Sequence, residues 1–128
     1  MEIKNFLVID ATKDKIRFFS YFNNKSYNKS FKANKINNDM FSSLLFNFFD
    51  KNNINLKNLN NIFINKGPGN FSGIRTSITV IKALKICNKL NVYGFVSSDI
   101  KDMNYSSIID LFKNGKLKKN LINPVYSS

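Results

Sequence analysis

The sequence predicts an α/β fold, a layer of mixed β-sheet with long helices packed on it. Three observations carry that expectation. The first 33 residues read as three β-prone stretches separated by short breaks. The middle of the chain then alternates helical and strand-like apolar spacing. Finally, 43% of the 128 residues are hydrophobic, enough for one domain to build its own core. No internal repeat or linker composition interrupts the chain, so it is read as a single domain.

Residues 3–10, IKNFLVID, form the first predicted strand, buried and ending at Asp10. Residues 15–22, KIRFFSYF, and 25–33 make a hairpin around an Asn23-Asn24 turn. The cluster Asn37-Asn38-Asp39 offers helix caps. Met40, Phe41, Leu44, Leu45, Phe48 and Phe49 then recur at helical spacing, with Phe46 widening the stripe. A brief strand at 61–64 leads into a glycine loop and a helix from about Ser72 to Leu90. Residues 92–96 read as a strand, and residues 99–114 as a helix stopped by Gly115. The tail is basic and then extended around Pro124.

The longest apolar runs are too short to span a bilayer. The N-terminal MEIKNFLVID lacks the features of a signal peptide. A single cysteine, Cys87, rules out an internal disulfide. A cytoplasmic location is therefore expected, with no membrane partner. The net charge of +12 suggests nucleic acid. Against this, the cations are nearly all Lys, which A/T-rich codons alone could supply, and they are spread along the chain. A surface built to grip phosphate would usually carry more Arg. A solvated Lys-rich surface is the simpler reading, with a weak salt-sensitive attraction to RNA compatible with either view.

Catalytic chemistry is sparse. The chain has no histidine, so no imidazole base or ligand exists. Cys87 falls in the apolar arc of its helix and reads as core. Of the acids, Asp10 alone sits where an active-site carboxylate would, and it reads equally well as a polar strand terminator. The loop N65-KGPGNFSG-I74 lacks the lysine of a P-loop and the third glycine of a dinucleotide fingerprint. It reads as a structural turn, with Ser72 as a possible helix cap. Arg75 in the first helical turn opposes the helix dipole and calls for a partner, such as a carboxylate or the chain's own C-terminus.

On the second long helix, Arg75, Thr76, Thr79, Lys82, Lys85 and Lys89 share one arc, and apolar residues cover most of the rest. Both long helices thus carry a wider apolar stripe than one sheet needs. Either the C-terminal helix covers the excess, or another protein does.

GPGNFSGIRTSITVIKAL resembles the GPGSFTGxR segment and following helix of the TsaB family, bacterial proteins of tRNA threonylcarbamoyladenosine biosynthesis. Gly67, Pro68, Gly69, Phe71, Gly73 and Arg75 match, while Asn70 and Ser72 stand where the family usually has Ser and Thr. FLVIDAT resembles the family's opening strand, DMFSSLLFNFF its first long helix, and VYGFVSSDI the strand after its second. The resemblance covers about residues 3–99. The family runs to roughly twice this length, in two subdomains. Here NPVYSS is similar to its closing P-x-Y-L-R, as if the second half were deleted internally.

The resemblance implies a ribonuclease-H-like (actin-like ATPase) domain with a mixed five-stranded sheet and two long helices on one face. A short helix and tail, about residues 97–128, would replace the second subdomain. It further implies a non-catalytic scaffold that binds the catalytic paralogue TsaD through those helices, joined by the ATPase TsaE. The complex moves threonylcarbamoyl from an adenylate onto a tRNA adenosine. No cofactor is expected on this chain; ATP and metal would sit on the catalytic partner. The expected interface residues are Met40, Phe41, Leu44, Leu45, Phe48, Ile74, Ile78 and Ile81, with a homodimer through the same helices as an alternative. Gly67, Pro68, Gly69, Ser72, Gly73 and Arg75 would form a vestigial phosphate loop, and Asp10 and Thr12 a vestigial nucleotide-site strand end. Two rivals are an ATP-hydrolysing enzyme of the same superfamily, using Asp10, Thr12 and the loop, and a basic tRNA-binding module.

Overall fold

The computed structural model describes residues 5–100, 104–119 and 124. β1 (Phe6–Asp10), β2 (Lys15–Phe22) and β3 (Lys25–Lys32) form an antiparallel meander. Asn23 and Asn24, both at positive φ, make the two-residue turn, a conformation asparagine tolerates better than other side-chain-bearing residues. β4 (Asn61–Asn65) and β5 (Asn91–Phe95) add parallel to β1, giving the expected five strands. A two-residue β6 (Lys118–Lys119) from the tail pairs antiparallel with β5, so the full order is β3-β2-β1-β4-β5-β6.

β1 and β4 are buried on both faces, which is why FLVID and NIFIN lack polar alternation. Their alternating side chains feed two separate cores. Leu7, Ile9, Ile62 and Ile64 join Ile16 and Phe18 on one face, and Phe6, Val8, Phe63 and Phe95 lie on the other.

The first face carries the helices. α1 (Lys35–Asp39) is capped by Asn34, whose side chain accepts from the Asn37 amide at 2.8 Å. The chain bends at Met40 and continues as α2 (Phe41–Lys51). The helix was expected to start at Asn37-Asn38-Asp39. Asn34 satisfies the same capping preference and comes first, so those residues lie inside a short separate helix. α3 (Phe71–Cys87) packs beside α2. Phe41, Leu45, Phe48, Ile74, Ile78 and Ile81 all point into the sheet.

The second face is covered by a 3₁₀ turn at Tyr105–Ser107 and by α4 (Ile108–Lys113). The Gly115 amide bonds the Phe112 carbonyl and the Lys116 amide the Leu111 carbonyl, with Gly115 at φ 68°. That double bond pattern is the glycine stop expected there. The expected helix over 99–114 is shorter, because Ser97–Asp99 and Tyr105–Ser107 form 3₁₀ turns; residues 101–103 lie outside the described residues. This placement decides an open point. The C-terminal helix packs on the opposite side of the sheet from α2 and α3, and leaves their outer surfaces uncovered.

Ile108 is fully buried against Phe6, Phe63 and Phe95. Ile108→Ala should therefore cost about 2–5 kcal/mol in urea unfolding. An unchanged midpoint would mean that α4 is not a structural layer.

Candidate functional site

Asp10 ends β1 with its side chain buried, and the chain itself satisfies both carboxylate oxygens. Oδ1 accepts from the Thr12 amide at 3.1 Å and the Thr12 hydroxyl at 2.7 Å. Oδ2 accepts from the Tyr105 hydroxyl at 2.8 Å, across 95 positions of sequence. Burial holds the Tyr105 phenol far above its usual range, and the Asp10 charge and hydrogen bond add to this against a smaller opposing pull from Arg17. Tyr105 is therefore a standing donor at physiological pH.

The glycine loop is built onto the same strand end. Asn65, buried at the end of β4, donates through Nδ2 to the Ser97 hydroxyl at 3.2 Å and the Thr12 hydroxyl at 3.4 Å. Its Oδ1 accepts from the Gly67 amide at 2.9 Å. The Asn70 amide donates to the Thr12 carbonyl at 2.8 Å, and the Ser97 amide to the Gly67 carbonyl at 3.1 Å. The Gly67–Pro68 peptide is cis. A Cβ on Gly69 would overlap the Thr12 carbonyl oxygen, and one on Gly73 the Ala11 carbonyl oxygen. Only glycine lets α3 start this close to the β1–β2 connection.

Asn70 rather than Ser72 caps α3, its Oδ1 accepting from the Gly73 amide at 3.2 Å. Asn70 precedes the first helical residue, whereas Ser72 lies exposed inside the first turn. The amides of Gly67, Asn70 and Gly73 are thus committed within the chain, and Pro68 has none to give. Arg75 is exposed and makes no ion pair among the described residues; the C-terminus proposed as its partner lies outside them. Among the described residues no group of three or more His, Cys, Asp or Glu could hold a metal.

Of the eight expected interface residues, six cannot face a partner. Phe41, Leu45, Phe48, Ile74, Ile78 and Ile81 are buried in the chain's own core. Met40 remains exposed and Leu44 half-buried. Apolar arcs on a helical wheel locate a stripe without saying which part of it the sheet takes, and the sheet takes its centre. The apolar side chains left outside are Phe46, 46% exposed, and Ile86, 86% exposed, together with Phe71 and Ile36. Ile86 lies off the arc centred on Ile78, and that displacement was the sequence signal for it. Cys87, expected in the core, is exposed: it lies nine residues, about 180° of helix, from buried Ile78 and so faces away from the sheet.

Tyr105→Phe removes a donor from a buried carboxylate and should cost about 1–3 kcal/mol. The linkage has a definite sign. A phenol pKa raised by folding contributes stability that is full below the unfolded value of about 10 and falls as pH rises above it. Above about pH 10 the unmodified protein should lose stability faster than Tyr105→Phe, as read by urea midpoints at several pH values. Parallel losses would show that folding does not raise the phenol pKa.

No family model matches the chain. Over 47 residues it is 40% identical to the tRNA threonylcarbamoyladenosine biosynthesis protein TsaB of Buchnera aphidicola subsp. Schizaphis graminum, covering 37% of this chain and 22% of that protein. YeaZ from Pseudomonas aeruginosa superposes with a TM-score of 0.68 at 15% identity, over 88% of this chain and 51% of that one. A second structure, described as an uncharacterized protein with similarity to peptidase YEAZ from Pseudomonas aeruginosa, gives 0.67 at 16% identity, over 73% and 44%. The chain spans about half the length of the solved structures it matches. The chain thus shares the fold of these two structures, and a segment of 47 residues is similar in sequence to a TsaB protein.

Proposed function

We propose that this chain is a non-catalytic scaffold subunit in tRNA threonylcarbamoyladenosine modification. It binds a TsaD-like catalytic paralogue through the outer surfaces of α2 and α3. A TsaE-like ATPase joins the assembly, tRNA is the substrate of the complex, and ATP and metal belong to the catalytic partner. In this reading the segment from about residue 97 stands in for the second subdomain by covering the sheet's back face.

One observation carries the reading. The helical layer keeps large apolar side chains in water on its outside, Met40, Phe46 and Ile86 among them, and nothing described in the chain covers them. A usual interface buries about 800 Å² per partner, which two helices of this length can supply. The closed Asp10 cluster supports the non-catalytic part. A carboxylate that already accepts three hydrogen bonds has little capacity left for a metal, and three of the loop amides, those of Gly67, Asn70 and Gly73, are engaged within the chain. The glycine loop then serves to aim an interface helix.

Co-expression with the organism's own TsaD-like protein tests this. The chain should co-purify with it, and Phe46→Asp combined with Ile86→Asp should abolish co-purification without lowering thermal stability. Ile78→Asp should instead unfold the chain, because Ile78 is core. Undiminished co-purification of the double variant would place the contact elsewhere. A homodimer lost in the same variant would identify a second copy as the occupant of this surface.

A further inference from the structure

Seven of the chain's 20 Lys and Arg fall between residues 13 and 35, against one of its eight acids, Asp14. Codon composition can raise the number of lysines but gives no reason for them to gather on one hairpin. Folding concentrates them further. Lys15 lies directly opposite Lys32 across the β2–β3 ladder, and Arg17 opposite Ser30, so all four share the back face of the sheet. Like charges directly opposed in a ladder are destabilising. Two acids stand near Arg17: Asp14, 3.9 Å away with its own side chain 81% exposed, offsets little, and Asp10, opposite Arg17 on β1, is buried and already accepts from Thr12 and Tyr105.

Beside these cations the same face opens a cavity of about 300 Å³, lined among others by Arg17, Phe19, Asn28, Ser30, Asn104 and Ser106. Further along the strand pair, Phe19 and Tyr21 lie half-buried on this face, opposite Asn28 and Ser26; Phe6 packs against both rings and Tyr105 against Phe19, so each ring has only its outer side to offer. The strip therefore runs from cations, through hydroxyl and amide groups, to two aromatic rings. Single-stranded nucleic acid asks for this combination: cations for phosphates, polar groups for sugar and base edges, and rings on which a base can stack.

We propose that the back face of the β2–β3 hairpin binds RNA, with phosphates over Lys15, Lys32 and Arg17 and an unstacked base against Phe19 and Tyr21. The choice of tRNA as that RNA rests on the modification reading above, whereas the surface itself does not. The Lys15–Lys32 pair, which has no ion-pair partner among the described residues, is then explained, because its counter-ion is the ligand.

Fluorescence anisotropy with labelled unfractionated tRNA and the full chain tests the assignment. Lys15→Glu/Arg17→Glu/Lys32→Glu should weaken binding tenfold or more, and should reduce the slope of log affinity against log salt by about 2–3. Lys57→Glu/Lys82→Glu/Lys89→Glu removes the same charge elsewhere and should weaken it less than about threefold. Equal weakening by both would reduce the effect to net charge and overturn the proposal. Vesicles containing phosphatidylserine form a second arm; loss of vesicle binding with tRNA binding retained would assign the face to a lipid surface instead. Should the triple variant not fold, Lys15→Glu alone decides. It replaces a repulsive cross-strand pair with an attractive one, so Tm should rise while tRNA affinity falls about threefold. A fall in both would make Lys15 structural and overturn the proposal. Co-purification with the TsaD-like protein is read independently, so failure of the scaffold reading leaves this result interpretable.

Discussion

The hydrogen bond from Tyr105 to Asp10 ties the molecule together. A carboxylate at the end of a central strand is expensive to bury unless every lone pair it turns inward finds a donor. Here Thr12 supplies one side and Tyr105 the other. The same contact pins the 3₁₀ turn that precedes α4 onto the sheet, and α4 closes the second core around Phe6, Phe63 and Phe95. The end of β1 thereby becomes a structural joint.

The glycine loop works on the opposite side of that joint. Gly69 and Gly73 let α3 approach the carbonyls of Thr12 and Ala11, and Asn65 binds the loop to both Thr12 and Ser97. The orientation of α3 is thus fixed by the strand end that Asp10 occupies. Because Ile74, Ile78 and Ile81 are spent on the sheet and Val80 packs partly against the same core, the surface that α3 can offer another molecule is narrow and lies toward Ala83 and Ile86. What this layer presents to the outside therefore depends on helix placement.

Features set by neighbours in sequence were legible before the structure. The Asn23-Asn24 turn, the Gly115 stop, the five strands and the two long helices all follow from local backbone preference and apolar period. Features set by distant pairing were not. Nothing in the sequence links Tyr105 to Asp10, 95 positions apart. Lys15 and Lys32, apart in sequence, meet only when the hairpin folds one against the other. The helical stripes were wide enough to admit several orientations, and the sheet claimed the residues at their centres, which is why most of the expected interface proved to be core.

The most direct test of the central claim, that the Asp10 cluster is closed and the chain acts by binding and not by nucleotide chemistry, is calorimetric titration of the isolated chain with ATP and Mg²⁺. The account predicts no saturable heat at ligand concentrations up to the millimolar range. Stoichiometric binding with micromolar affinity would contradict it, because Asp10 would then have to release Tyr105 to receive the metal.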